Sequence, residues 1–233
     1  KPRRALDDNT AWQLYDMRAD FSLANDVASK NPQMLAKLQS VFLQEAEKHH
    51  VLPMDDRVFE RLDGAAVGRP DLMAGRTSLT LAEGMTGMME GVFVNVKNRS
   101  KTITAELDVP QGVVNGTVIA QGGRFGGWSL YVKDGVPAYD YNFLGLQRTS
   151  IAGTAKLPPG KASLQFVFDY DGGGHGKGGK GTLRVNGQKV AEGRIEHTQA
   201  GLFSADETAD VGIDLGTPVV EAIGAEAKSR FTG

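Results

Sequence analysis

The stretch QGGRFGGWSLY, residues 121–131, gathers the side chain types best suited to making a contact. Gly122-Gly123 and Gly126-Gly127 bracket Arg124 and Phe125 and lead into Trp128. Glycine pairs at a strand end let a backbone approach something closely, and arginine and aromatic side chains are favoured where proteins touch partners or ligands. A ligand platform, a contact with another domain and a plain bulged turn all fit this pattern. Downstream, VPAYDYNF places Tyr139 and Tyr141 on one face of a strand by simple alternation. Two phenols on one face make either a surface on which a sugar ring can stack or part of a core.

The segment SADETADVGIDLGTP concentrates Asp206, Glu207, Asp210 and Asp214 beside a strand. Carboxylates so placed could hold calcium, which takes six to eight hard oxygen ligands. Their spacing matches no defined calcium loop, which favours an acidic turn whose carboxylates cap backbone amides. GGGHGKGGKGT contains Gly174, Gly179 and Lys180 in the spacing of a phosphate-binding loop. It has Gly181 where a Ser or Thr would hold magnesium, and it leads into a strand instead of a helix. A flexible hairpin loop is the better reading. The four histidines form no metal signature, and no Gly-x-Ser-x-Gly elbow appears. Asp169 and Asp171 are spaced like a carboxylate pair on one strand face, yet they lie at a strand end that runs into glycines. The triplets Asn98-Arg99-Ser100 and Asn115-Gly116-Thr117 are formal glycosylation acceptors that decide nothing by themselves.

The elements that must position these residues follow two periods. Asn31 is a candidate N-cap and Pro32 suits the first helical position. Leu35, Leu38 and Phe42 then recur at helical spacing, and His49 and His50 fall in the last turn, so a helix is expected over 32–50. Before it, Trp12–Tyr15 reads as a short strand followed by a turn in which Asp16, Asp20 and Asp26 can cap amides. After residue 75 the period changes to two. In KTITAELDV, Ile103, Ala105, Leu107 and Val109 face one way, and in SLQFVFDY the same holds for Leu164, Phe166 and Phe168. Asp134-Gly135 and Asn186-Gly187 mark hairpin turns. TSLTLA, GVFVNV, GTVIAQ, LQRTSIA and DVGIDL complete a series of about ten or eleven short strands without intervening helices, the mark of a two-sheet sandwich or barrel. The expected organisation is a small subdomain over 1–52, a connector over 53–75 with a possible short helical turn, a β-sandwich over 76–220 and a tail over 221–233.

A net charge of -2 argues against nucleic acid or an anionic membrane as the main partner. With no cysteine, disulfides, thiolate metal sites and cysteine nucleophiles are excluded for these 233 residues.

The run WQLYDMRADFSLANDVASKNPQMLAKLQSVFLQEAEKHHVLPMDDR resembles the C-terminal subdomain of bacterial arylsulfatases, where a strand and turn precede a helix. The later segments RTSLTL, VKNRS, IAQGGRFGGWSLY, YNFLGL, YDGGG, VNG and LFSADETADVG are similar to the β-sandwich extension of one branch of that family. The resemblance covers Trp12 to about Pro218. It implies a concanavalin-like or laminin-G-like sandwich of jelly-roll type, and a parent enzyme that hydrolyses sulfate monoesters with a formylglycine beside a bound calcium ion. It leaves both cytoplasm and periplasm open. This chain has no Cys- or Ser-x-Pro-x-Arg motif, and neither Asp7-Asp8 nor Asp55-Asp56 has the glycine expected two residues on. No catalytic or metal residue is therefore carried over, and without an activated nucleophile there is no sulfuryl transfer. The expectation is a non-catalytic C-terminal portion whose partner is an upstream sulfatase catalytic domain. Formylglycine and calcium would reside in that domain. The sandwich would buttress it or shape its active-site entrance, with Arg124, Phe125 and Trp128 as the contact residues. The helix stripe, if uncovered, is a site of self-association. The alternative is a stand-alone carbohydrate-binding module using the aromatics clustered in one hairpin, Trp128, Tyr131, Tyr139 and Tyr141.

Overall fold

The structure, a computed structural model, describes residues 12–52, 54, 68, 70 and 75–233. The chain divides into two compact units, Lys1–Asp63 and Gly64–Gly233. The expected connector and its helical turn fall mostly outside the described residues.

In the first unit, α1 spans Pro32–Lys48, two residues shorter than the spacing suggests. It ends because His50 enters the left-handed region at φ 54°. The Val51 amide then donates to the Ala46 carbonyl (2.8 Å) and the His50 amide to the Glu47 carbonyl (3.2 Å). This pair of bonds is a Schellman closure, built on histidine where glycine is usual. Asn31 occupies the N-cap position, but its side chain makes no cap bond; the amide nitrogen turns back to donate to the Val27 carbonyl at 3.1 Å. Among the described residues, Trp12–Tyr15 pairs with no strand. The segment is held by Asp26, whose Oδ1 accepts from the amides of Leu14 (3.0 Å) and Ala28 (2.9 Å), and by a bond from the Val27 amide to the Leu14 carbonyl. Asp20 likewise accepts from the amides of Ala24 and Asn25. These bonds hold both carboxyls below their ordinary range. The Trp12 ring meets Phe42 edge-on at 5.5 Å, so the tryptophan covers part of the helix stripe. Leu38, in the middle of the expected stripe, stays exposed, and Ala46 is the one fully buried residue among those described here.

The second unit is a pair of antiparallel sheets. One has the order β1 (Met88–Met89), β10 (Thr208–Val211), β3 (Gly116–Gly123), β4 (Gly126–Lys133), β5 (Val136–Phe143) and β6 (Gln147–Ala152). The other has β2 (Lys101–Val109), β7 (Gly160–Tyr170), β8 (Gly179–Val185) and β9 (Gln188–Ile195). Alternation works as the sequence dictates. Trp128, Leu130, Val132, Tyr139, Tyr141 and Ile151 point inward from the six-stranded sheet and meet Leu164, Phe166, Phe168 and Leu183 of the other. Tyr139 and Phe166 stack across the interface with ring centroids 3.5 Å apart. Each such side chain, fully buried, contributes about 2 kcal/mol of transfer free energy. Asp134-Gly135 and Asn186-Gly187 both have positive φ at the two turn positions, the type I′ geometry that two-residue hairpins favour.

Three expectations change. TSLTLA and GVFVNV are not strands. Gly84 and Gly87 turn the chain with positive φ, leaving only Met88–Met89 to pair with β10. The residues read as a tail are built into the unit. After β10 the chain crosses the outer face of the six-stranded sheet, where Val219, Val220 and Ile223 pack on Ala120, Tyr131 and Ala138. Arg230 bridges Thr117 of β3, and Ser229 is wholly buried. We call residues 213–231 the strap. Among the described residues, no helix is long and apolar enough to cross a membrane.

Candidate functional site

The two-residue turn Arg124-Phe125 joins β3 to β4, and the glycines around it serve the hairpin itself. A Cβ on Gly122 would lie 2.2 Å from the Gly126 carbonyl oxygen, and one on Gly127 2.3 Å from that of Gln121. A Cβ on Gly123 would meet the Thr217 carbonyl at 2.7 Å, so this glycine admits the strap. The close approach implied by the glycine pairs is thus between strands of this chain.

Beside this turn lies the β5–β6 turn, Leu144-Gly145-Leu146, with Leu144 and Gly145 at positive φ. The buried amide of Asn142 ties the two together. Its Nδ2 donates to the carbonyls of Gly123 (3.0 Å) and Arg124 (2.8 Å), and its Oδ1 accepts from the Gly145 amide (3.0 Å). Two ordered tips result, carrying Phe125 (72% exposed), Leu146 (83%) and Leu144 (42%) outward. Behind them, Glu221 lies 3.5 Å from both Arg124 Nε and Arg148 Nη2, and Arg148 also donates to the carbonyls of Arg124 and Val219. The arrangement can offer an apolar contact on a rigid support with guanidinium groups at its base.

The other aromatic candidates lie in the core. Trp128 and Tyr139 are each 1% exposed, and Tyr141 is also buried. Trp128 Nε1 donates to Gln121 Oε1 at 3.0 Å, and the Tyr141 hydroxyl accepts from the Gln199 amide at 2.7 Å. Burial pushes the pKa of both tyrosines above the phenol range. Of the two readings open for Tyr139 and Tyr141, the structure shows the core.

Asp206, Glu207, Asp210 and Asp214 hold their own backbone. Asp206 accepts from Ser204 Oγ, and Glu207 from the Thr217 amide and hydroxyl. Asp210 accepts from the amides of Gly87 (2.7 Å) and Leu215 (3.3 Å) and from the Thr208 hydroxyl. Asp214 Oδ2 accepts from the Val219 amide at 3.0 Å. Among the described residues, no three metal-ligating side chains converge. Asp171 is engaged by Arg194 through both oxygens, at 3.1 and 2.6 Å, while Asp169 stands exposed without it. DGGGHGKG, residues 171–178, is the β7–β8 hairpin loop, pinned by the Tyr170 hydroxyl donating to the Gly174 carbonyl. Asn98 uses its whole amide inside the fold, donating to the Ala200 carbonyl and accepting from the Gly176 amide. Asn115 Oδ1 accepts from the Asp134 amide.

Sequence reasoning named Arg124 and Phe125 but not Asn142, Leu144, Leu146, Arg148 or Glu221. One signal was available: Phe-Leu-Gly-Leu over 143–146 puts two leucines around a turn glycine, where polar residues are the rule.

No family model matches the sequence, and no curated protein matches it. Several solved structures do. A native heptameric SAP-like pentraxin from Limulus polyphemus is 17% identical with a TM-score of 0.38, over 59% of this chain and 60% of that one. Domains LG4-5 of the mouse laminin alpha1 chain are 14% identical with a TM-score of 0.41, over 62% of this chain and 35% of that one. The receptor-binding domain of botulinum neurotoxin type G is 12% identical with a TM-score of 0.34, over 51% of this chain and 36% of that one. The chain thus spans 60% of the pentraxin chain and little more than a third of the other two. Among the described residues the protein is mainly β, with two antiparallel sheets and one α-helix, and pentraxin and laminin G β-sandwich domains are among its structural neighbours.

Proposed function

We propose that this chain is the non-catalytic C-terminal portion of an arylsulfatase, acting as a support and docking surface for an upstream catalytic domain. The observation that carries the reading is in the first unit. Its helix buries one residue fully, while Phe21, Met34, Leu38, Val41 and Leu43 remain exposed. A helix and a turn with so little core are marginal alone and gain their stability by packing on a larger body. The ordered resemblance to arylsulfatases names that body, which would hold formylglycine and calcium. The tips at Phe125, Leu144 and Leu146 supply a second apolar surface for the same partner or for the rim of its active site.

Carbohydrate binding is the second reading, favoured by one observation: the exposed Phe125 ring is open to stacking, on the same turn as Arg124. One preparation tests both. The native polypeptide, captured from its source cells with antibody against this domain, is sized, assayed on an aryl sulfate and applied to a glycan array. A band well above 24.9 kDa that cleaves the ester is the expected result. A band at 24.9 kDa that binds a glycan and cleaves nothing would replace the support role with the binding module.

A further inference from the structure

The strap begins with a turn whose amides are nearly all held by carboxylates. The amides of Leu215, Gly216, Thr217 and Val219 donate to Asp210 (3.3 Å), Glu226 (3.2 Å), Glu207 (3.2 Å) and Asp214 (3.0 Å) respectively. Four carboxyl groups thus surround five residues of backbone. Asp214 is also the knot of the strap. Its amide donates to Ser229 Oγ (2.9 Å), its carbonyl accepts from the Glu226 amide (2.8 Å), and only 1% of the residue is exposed. One of its oxygens, Oδ1, is buried without a hydrogen-bond partner. A buried carboxylate oxygen with no donor, beside a second buried carboxylate, is costly to keep ionised.

We propose that Asp214 is a proton-operated latch: protonated, it holds the strap closed over the outer face of the six-stranded sheet, and ionised, it loosens the strap and the hairpin tips tied to it. The tie is direct. Thr217 Oγ1 accepts from the Arg124 amide (3.0 Å), the Val219 carbonyl accepts from Arg148, and Glu221 of the strap faces both arginines. Release would uncover Ala120, Tyr131 and Ala138.

The charged groups around the latch are Asp210 on β10, Glu207 just before it, and Glu226 and Lys228 in the 3₁₀ turn of the strap; Glu83 lies against Gly212. Burial, followed by Asp210 and Glu207, raises the Asp214 carboxyl from 3.8 to about 7, against the lowering effect of the Val219 amide. With the strap open, Asp214 ionises near its ordinary 3.8. Between those two values opening releases a proton, so each pH unit favours the open state by about tenfold; above the upper value both states are ionised and the effect is constant.

The test is amide hydrogen exchange at Val219 in the intact chain from pH 5 to 9, corrected for intrinsic exchange, beside a carbon-13 titration of the Asp214 carboxyl. The opening constant should rise about tenfold per pH unit and level off near the Asp214 titration point, while Asp214→Asn should give a flat profile. A flat profile in the unmodified chain, or an Asp214 carboxyl titrating near 4, overturns the proposal. Should Asp214→Asn fail to fold, the carboxyl titration of the unmodified chain decides alone.

Discussion

Asn142 shows how one side chain can do the work of a whole turn sequence. Neither tip carries the polar turn residues that would stabilise it locally, so the amide beneath them supplies two donors and one acceptor to three backbone groups. Asn142→Ala should destabilise the second unit by about 3 kcal/mol in urea unfolding, the upper end of the cost of stranding buried polar groups. A change below about 0.5 kcal/mol would mean that the tips hold themselves. Asn142 was not legible in the sequence because two of its three partners lie 18 and 19 residues away, in another hairpin. The contact role of Phe125 was legible as composition, and its exposure leaves that role open. Trp128 read equally well as a contact, because a tryptophan beside glycines looks the same whether its ring faces out or in. Strand alternation with Leu130 and Val132 decides the matter, and it was available.

At the scale of elements, the helix boundary is set by one residue in an unusual conformation. The periodicity of α1 runs on past Lys48, and nothing in His49-His50 forbids another turn, which is why the spacing overshoots. The stop is made by His50 at positive φ, where a β-carbon costs about 1 kcal/mol. His50→Gly should therefore stabilise the helix end by about 1 kcal/mol, seen as slower exchange of the Val51 amide and a higher midpoint at 222 nm. No gain would mean that the His50 side chain makes a compensating contact. The hairpins, by contrast, were legible almost to the residue. Asp-Gly and Asn-Gly are among the few dipeptides that accept two positive φ values in succession. The strap escaped for the opposite reason. Its residues show neither period, because it is held by carboxylate-to-amide bonds and by small apolar contacts on the back of a sheet.

Over the whole molecule, the two units differ in what holds them. The second has an aromatic and aliphatic core sealed between two sheets and a smaller one under the strap. The first has a helix with a single buried residue and a turn organised by aspartates. Local order of that kind is real but weakly cooperative, so the units should not melt together. The chain offers one reporter for each, since its two tryptophans fall one in each unit: Trp12 against Phe42, and Trp128 in the core. In Trp12→Phe, the remaining fluorescence follows the sandwich alone, while ellipticity at 222 nm follows chiefly the helix. On heating, the helix signal should be lost first, by about 10 °C or more, given that a few kcal/mol separates the stabilities of elements this small. Coincident transitions would mean that the helix borrows stability from the sandwich. The first unit would then need no outside body, and the support role proposed for it would lose its carrying observation.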